Sequence, residues 1–212
     1  MFQDMFIQLV ERRDFFAKLL LEHIAISATA IALALVIGFV IGVAISEYQK
    51  SSKFVMGVIN VVYTIPSISL LGFLIPISGI GNTTSVIALT VYALLPTVRN
   101  THTGLTNVSP LLIEAATGMG STRAQVLYKI KLPLAMPVIL AGVRNMAVMT
   151  IALAGIASFI GAGGLGVAIY RGITTNNKAM TLAGSLLIAL LALIVDFFMG
   201  ILEKCLSKHK TV

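Results

Sequence analysis

The chain has 212 residues, 58% of them hydrophobic and only 11% charged, with a formal net charge of +7 and a mean hydropathy of +0.99. An ordinary soluble domain carries about 25% charged residues, so this composition excludes one and predicts a chain that is covered mainly by lipid. The positive excess does not indicate nucleic-acid binding, because no basic patch interleaved with aromatic residues accompanies it.

The first 23 residues mix charged and apolar positions and lack the order of a cleavable signal. We predict that residues 1–23 are retained as an extracytoplasmic segment. Two alternatives stay open for the conformation of Leu9–His23. It is either an amphipathic helix along the outer interface or a solvated extension of the first span.

Five uncharged or nearly uncharged segments follow. A spanning helix needs roughly 20 apolar residues, because each residue rises about 1.5 Å through about 30 Å of hydrocarbon. The segments are Ile24–Ser46, Phe54–Ile77 with Pro66 and Pro76 inside it, Thr83–Val98, Leu134–Ile160 and Ala179–Leu202. We therefore expect an all-α integral membrane domain of five transmembrane helices over residues 24–202 and a tail over residues 203–212.

The distribution of Lys and Arg predicts the orientation, because cytoplasmic loops hold the excess of both. If residues 99–134 form a cytoplasmic loop, the inner side holds nine basic residues and the outer side five. Arg144 then lies just within the fourth span. We expect a multi-pass protein of the cytoplasmic membrane with its N-terminus outside and its C-terminus and tail inside.

The loop over residues 99–134 reads as two short helices around a glycine turn. Ser109 suits an N-cap and Pro110 the first helical position, while Gly118 and Gly120 permit the positive φ of a helix stop. The pattern predicts a rigid first helix that ends at the glycines.

The second helix of the loop has its own start and stop signals. Thr122 and Gln125 have the spacing of a capping box, and Pro133 is expected to end the helix. The sequence therefore predicts a helical elbow that protrudes from the membrane.

This loop closely resembles one shared by the permeases of binding-protein-dependent ABC importers: Glu-Ala-Ala, three residues, Gly, nine residues, Ile, one residue, Leu-Pro. The matching residues are Glu114, Ala115, Ala116, Gly120, Ile130, Leu132 and Pro133, with Gly118 inside the same turn. The resemblance implies that the elbow is a coupling helix that docks in a groove of an ATPase subunit. It implies that Glu114 makes a charged contact there and that Ala115 and Ala116 allow close approach. A capped helical hairpin without a partner is the alternative.

The resemblance extends from about Leu20 to Glu203 and narrows toward permeases for quaternary amines and osmoprotectants such as glycine betaine, carnitine and choline. The runs Thr64–Pro76, Tyr92–Thr101 and Phe159–Gly166 carry it. It implies a five-span type I importer permease with a second permease chain, identical or not. It also implies an ATPase subunit inside and a substrate-binding protein outside. Methionine permeases share the plan and are the nearest alternative for the substrate.

No catalytic residue, metal site or cofactor is expected on this chain. The sequence has no Gly-x-x-x-x-Gly-Lys-Ser/Thr phosphate loop, so ATP and Mg²⁺ are expected on the partner subunit. Gly161, Gly163 and Gly166 match a dinucleotide-binding pattern, but they follow a membrane span instead of a strand. A secondary transporter is the alternative outside the class, although it usually shows internal repeats and a coupling-ion site, and neither is found.

Polar positions in the second and fourth spans, and glycines that follow the fourth span, are candidates for a translocation path or gate. A cation with little hydrogen-bonding capacity needs aromatic faces and modest polarity more than fixed charge. The candidates are Tyr63, Thr64, Pro66, Ser67, Asn145, Ser158, Gly161, Gly163, Gly164 and Gly166. Interhelical hydrogen bonding and a simple turn explain the same residues equally well.

Two charges lie well inside predicted spans. Arg144 and Asp196 are at similar depth from the cytoplasmic ends of the fourth and fifth spans, and an unpaired charge there is costly. We predict an ion pair between them, with separate snorkelling toward headgroups as the alternative. In the first span, small residues recur at every fourth position from Ala30 to Ser46, which favours close packing within the subunit or a dimer seam.

Overall fold

The computed structural model describes residues 2–207, and within this range the regular elements are ten α-helices, one π-helical turn and one 3-10 turn. The helices are α1 (Phe2–Glu11), α2 (Arg13–Glu47), α3 (Gln49–Thr64), α4 (Ser67–Ser78), α5 (Asn82–Thr106), α6 (Pro110–Gly118), α7 (Arg123–Val126), α8 (Leu132–Ala157), α9 (Gly166–Thr174) and α10 (Lys178–Ser207). The π-helical turn is Leu127–Lys131 and the 3-10 turn is Ser158–Ile160.

The centre of the bundle is formed by α2, α5 and α8. Their main shared cluster includes Ala34, Ala93 and Met146, all of which are fully buried. The small residues of α2 face α5: a Cβ atom on Gly38 would lie 2.8 Å from Thr97, and one on Gly42 would lie 2.6 Å from Thr101. The small face of the first span therefore packs within the subunit.

Length and composition mark only part of this bundle as membrane-spanning. Among the described residues three helical stretches pass that test, Arg13–Glu47, Arg123–Ile160 and Lys178–Leu206. The number is four if the bent pair of α3 and α4 is taken as one span. The predicted third span corresponds to α5, which is long enough but less apolar. Its Thr84, Thr97 and Thr101 are buried against neighbouring helices. Since α5 is enclosed by protein, its sequence does not need the hydropathy of a lipid-facing helix.

The N-terminal segment is helical and packs onto the end of the bundle. Met5, Phe16 and Leu19 are buried in one cluster with Leu165 of the loop before α9 and Met180 of α10. Helix α2 begins at Arg13 and runs without interruption past residue 23. The boundary predicted between residues 23 and 24 therefore lies inside a continuous helix.

The second predicted span is broken at its proline. Helices α3 and α4 meet at an angle of 97°, with Ile65 extended at φ −67° and ψ 126° and Pro66 at φ −56° and ψ 139°. Proline lacks an N–H and disfavours helical geometry in the preceding residue, so Pro66 sets the position of the break. Pro76 lies inside α4 without ending it.

Candidate functional site

The elbow begins with α6, which has an exposed and a buried side. Ser109 occupies the N-cap position and Pro110 the first turn, although the Ser109 side chain makes no capping hydrogen bond. Glu114 and Ala115 are exposed, whereas Ala116 is 2% exposed and anchors the helix to the protein. The helix thus presents a carboxylate and a small side chain on its outer surface.

The turn after α6 depends on one of the two glycines. Gly120 has a φ of 87°, in the left-handed region that favours glycine. Gly118, expected to permit the same conformation, is instead the last residue of α6, so that expectation is wrong. A helix end needs only one left-handed residue to turn the chain, and here it comes two positions later.

The second half of the elbow starts as predicted and ends differently. The Thr122 N–H donates to Gln125 Oε1 at 2.8 Å, and the Gln125 N–H donates to Thr122 Oγ1 at 3.3 Å, which completes a capping box. The expectation that Pro133 ends this helix is wrong. The chain passes through a π-helical turn, with the Leu132 N–H donating to the Leu127 carbonyl, and continues into α8. A π-helical turn widens the helix, so Pro133 fits at the first turn of α8 without breaking it.

The elbow is tied to the membrane bundle at two places. Lys131 Nζ donates to Glu47 Oε1 at 2.7 Å, which joins the π-helical turn to the end of α2. Leu132 and Leu127 pack against the central cluster, beside Leu105 of α5. Ile130, Leu132 and Pro133 of the matched motif are half-buried. The elbow therefore forms one stiff unit with the end of the bundle at which α2 ends.

The break between α3 and α4 is held by an aromatic residue of α5. The Tyr92 hydroxyl donates to the Ile65 carbonyl, which lies at the end of α3 and has no helical partner ahead of it. The ring of Tyr63 stands edge-on to Tyr92, with centroids 5.8 Å apart. Tyr63 also donates a hydrogen bond from its hydroxyl to the Met149 sulfur at 3.3 Å. The bend thus brings α3, α5 and α8 together.

Several of the predicted pathway residues lie along this meeting line. Tyr63, Thr64 and Pro66 are exposed, Ser67 is half-buried, and Asn145 is exposed one turn from Met149 on α8. One turn before Tyr63 on α3, Asn60 accepts a hydrogen bond of 2.7 Å from the Arg99 guanidinium of α5. We name the row Asn60, Tyr63, Arg99, Asn145 and Met149 the polar stripe.

Ser158 and the glycine run lie elsewhere. Ser158 is buried and its hydroxyl donates to the Gly155 carbonyl at 3.1 Å. Gly161 and Gly164 have φ values of 77° and 94°. Gly166 lies so close to the Gly155 carbonyl that a Cβ atom would clash with it.

The glycine run contacts two helices, α5 and α2. The Gly163 N–H donates to Asn82 Oδ1 of α5 at 2.8 Å, and the Gly164 N–H donates to Glu22 Oε2 of α2 at 3.1 Å. Beside it, His23 Nε2 donates to the Ile151 carbonyl at 3.0 Å. The run therefore serves as a tight connection at the end of the bundle opposite the elbow.

The structure brings Arg144 and Asp196 together. Arg144 donates from Nε to Asp196 Oδ1 at 2.6 Å and from Nη2 to Oδ2 at 2.7 Å, which is a bidentate pair between α8 and α10. Glu203 lies 3.4 Å from Nη1 of the same guanidinium. A Cβ atom on Gly200 would lie 3.2 Å from the Arg144 guanidinium, so the glycine makes room for the arginine.

Sequence reasoning did not assign a role to four of these residues, Glu47, Tyr92, Arg99 and Met149. Glu47 is 84 residues from Lys131, and no local pattern connects the two. The sequence could have placed Tyr92 and Arg99 on one side of α5, because they are seven residues, or about two helical turns, apart. Met149 is an ordinary apolar residue in the sequence, and only the fold shows its contact with Tyr63.

Comparison with known proteins is consistent with this geometry. Residues 34–208 match the family described as the binding-protein-dependent transport system inner membrane component. The chain is 41% identical over 190 residues to the glycine betaine/carnitine/choline transport system permease protein OpuCD of Bacillus subtilis, covering 89% of this chain and 83% of the relative. It is 39% identical over 204 residues to the osmoprotectant import permease protein OsmW of Salmonella typhimurium, covering 94% and 95%.

Solved structures show the same fold. An inward-facing structure of the MetNI methionine ABC transporter superposes with a TM-score of 0.84 at 24% identity, covering 90% of this chain and 95% of that one. A crystal structure of an amino acid ABC transporter with histidines gives 0.76 at 19% identity, covering 96% and 98%. At these identities the similarity concerns the fold alone.

Proposed function

The chain belongs to the family of binding-protein-dependent transport system inner membrane components, and on this premise we propose that it moves a small quaternary amine inward across the cytoplasmic membrane. It has the all-α type I fold of ABC importer permeases. Its relatives at about 40% identity are permeases named for glycine betaine, carnitine, choline and osmoprotectants. That identity over most of the chain is the observation that carries the choice of substrate class.

The elbow is our candidate for the contact with an ATPase subunit. Glu114 and Ala115 are exposed on a helix that is capped and tied back to the bundle through Lys131 and Glu47. Because the elbow is stiff, a movement of the ATPase subunit would displace the helix bundle. A flexible loop would bend and would not transmit that movement. We propose that ATP is bound and hydrolysed by the partner and that this chain carries no catalytic residue.

The orientation follows from the elbow. If Glu114 faces a cytoplasmic ATPase, the elbow end of the bundle is inside, together with Glu47 at the end of α2. The glycine run and α1 are then outside, where they are available to a substrate-binding protein. The excess of Lys and Arg on the elbow side supports this orientation. Lys208 and Lys210 of the predicted inner set, and His209, lie outside the described residues.

The translocation path is proposed to follow the polar stripe, between this subunit and a second permease chain. Tyr63, Thr64, Pro66, Ser67 and Asn145 lie along it or at its edge. We propose that the outer gate is shaped by residues that do not line the path themselves. These are the buried Ser158 and the glycine run Gly161, Gly163, Gly164 and Gly166. Alternating access would then come from the elbow moving with the nucleotide state of the ATPase.

Uptake measurements test the proposal. The chain, its cognate ATPase and its binding protein are expressed in cells that lack other osmoprotectant uptake, and import of radiolabelled glycine betaine, carnitine, choline and methionine is followed. We expect import of at least one quaternary amine, none of methionine, and loss of import in Glu114→Arg with normal membrane levels. Cys205→Arg adds a positive charge at an exposed position outside the elbow, near the end of α10, and should leave import unchanged. Import of methionine alone would refute the substrate class, and unchanged import by Glu114→Arg would refute the coupling role.

A further inference from the structure

The polar stripe occupies a surface of the subunit that lipid cannot cover. Arg99, Asn60 and Asn145 are exposed on helices that lie within the membrane-spanning bundle. Exposed charged and amide groups in hydrocarbon are strongly unfavourable, so residues of this kind face protein or water. The stripe therefore borders an aqueous path or a partner surface.

Tyr63 presents an aromatic surface to that path. Its ring packs at a steep angle against the ring of Tyr92, with centroids 5.8 Å apart, and its hydroxyl donates to the Met149 sulfur at 3.3 Å. Tyr92 is 7% exposed, whereas Tyr63 is 38% exposed. The ring of Tyr63 is therefore fixed in position yet accessible. Quaternary ammonium groups cannot donate hydrogen bonds and are recognised by aromatic faces of this kind.

Arg99 provides a positive charge on the same stripe, where it is available to an anionic group. One of its amino groups donates to Asn60 at 2.7 Å, which fixes the guanidinium in place. A guanidinium has five N–H donors in a planar fork, so others remain for a carboxylate, which it binds well in bidentate geometry. Within the described residues no acidic side chain is within ion-pairing distance of Arg99, unlike Arg144.

The spacing of the two groups fits a short molecule that carries both charges. Asn60 and Tyr63 are three residues apart on α3, or about 4.5 Å along the helix axis. Asn60, which binds the guanidinium, and Tyr63 therefore lie one helical turn apart on the same side of α3. A bare quaternary ammonium alcohol would meet the aromatic ring but would be repelled by the guanidinium.

We propose that Tyr63 and Arg99 form a transit site for zwitterionic quaternary amines, with the ammonium group on Tyr63 and the carboxylate on Arg99. Asn60 and Tyr92 are the positioning residues of this site. The inference rests on the proposed function and narrows its substrate class from quaternary amines in general to those with a carboxylate, such as glycine betaine and carnitine. Choline has no carboxylate, so it would contact Tyr63 but not bind Arg99.

The test compares two substrates in the same variant of the complete transporter. Uptake of labelled glycine betaine and of labelled choline is measured with the same binding protein throughout. The preference of that protein for one substrate is then the same in every variant and cancels when variants are compared. We expect Arg99→Gln to lower maximal betaine uptake at least tenfold and to leave choline uptake within twofold of wild type or above it. Arg99→Lys keeps the charge and should retain at least a third of betaine uptake.

Four further variants separate recognition from folding. Lys204→Gln removes a positive charge from an exposed position near the end of α10 and should change neither uptake. Asn60→Ala frees the guanidinium and should lower the ratio of betaine to choline uptake severalfold while Arg99 itself remains. Tyr63→Ala should lower uptake of both substrates, whereas Tyr63→Phe keeps the ring and should retain both.

The outcomes distinguish the inference from the function on which it rests. If wild type imports no quaternary amine, the proposed function fails. If it imports choline alone, or if Arg99→Gln lowers both uptakes equally or neither, the transit site is refuted and the quaternary-amine function stands. If wild type imports betaine alone, the decision rests on Arg99→Lys. Equal loss of betaine uptake in Arg99→Lys and Arg99→Gln refutes the site.

Discussion

The contact between α2 and α5 at Gly42 yields a stability prediction whose size follows from the geometry. A Cβ atom added at Gly42 would lie 2.6 Å from Thr101 Cβ and 3.1 Å from the Val98 carbonyl oxygen, whereas ordinary contacts lie at 3.4–4 Å. Neither atom is the tip of a flexible side chain, so the two helices must separate. Overpacking of this kind costs about 1–3 kcal/mol, and the rigid neighbours place Gly42→Ala near the upper value.

Helix propensity opposes this cost and defines the control. Alanine is about 1 kcal/mol more favourable than glycine inside a helix, so we expect Gly42→Ala to lower the free energy of unfolding by about 2 kcal/mol. Gly57 lies in α3, and a Cβ atom there would meet nothing within 4 Å. Gly57→Ala makes the same chemical change without the clash, so it should raise the free energy of unfolding by about 1 kcal/mol.

Denaturant titration of the purified subunit in detergent micelles, followed by circular dichroism, measures both changes. Both variants replace glycine by alanine, yet the free energy of unfolding is predicted to fall in Gly42→Ala and to rise in Gly57→Ala. A Gly42→Ala variant as stable as wild type would show that α2 and α5 can separate at this contact with little loss of stability. A Gly57→Ala variant destabilised to the same extent would show that the loss has another origin.

Two further predictions concern the ion pair and the elbow. Asp196→Ala should lower the amount of assembled transporter, since it leaves Arg144 with only the longer Glu203 contact. The exchange of the two charges, Arg144→Asp with Asp196→Arg, should restore at least half of that loss, measured by membrane immunoblot. If the exchange restores nothing, the pair does not hold α8 to α10. Thr122→Ala should remove about 1 kcal/mol of capping from the second elbow helix and lower both ATPase co-purification and uptake. Thr122→Ser should retain both, and equal loss in the two variants would contradict the capping role.

The elbow is the part of the structure that the sequence predicted best, because its signals are local. The capping box of Thr122 and Gln125 and the left-handed Gly120 each require only residues a few positions apart. The error at Pro133 has the same local origin. A proline stop is the default for an α-helix, and only the π-helical turn before it relieves the clash.

The polar stripe was only partly predictable, because it depends on contacts between distant helices. Tyr63 was a candidate from its polarity beside a proline break, but its exposure was not visible in the sequence. Arg99 appeared only as one of several basic residues near the cytoplasmic side. Its meeting with Asn60, 39 residues earlier, is a property of how α3 crosses α5. Hydropathy likewise underrates α5, because a helix enclosed by protein can carry threonines that a lipid-facing helix cannot.

The way in which α3 is attached to the bundle indicates which part of the subunit can move. Helices α2 and α5 interlock through glycines and threonines, a contact that cannot slide without clashes. Helix α3 is instead tied to α5 by separate polar contacts, between Ser52 and His102 at 2.9 Å, between Asn60 and Arg99, and between Ile65 and Tyr92.

A typical hydrogen bond contributes about 0.5–1.5 kcal/mol net, so a few such contacts can be broken together at a small cost in free energy. Both the aromatic and the cationic parts of the polar stripe are formed across this α3–α5 boundary. Movement of α3 against α5 would therefore separate Tyr63 from Tyr92 and Asn60 from Arg99 in one step. A site built across a boundary that can move releases its ligand when the boundary opens, which a site within the α2–α5 interface could not do.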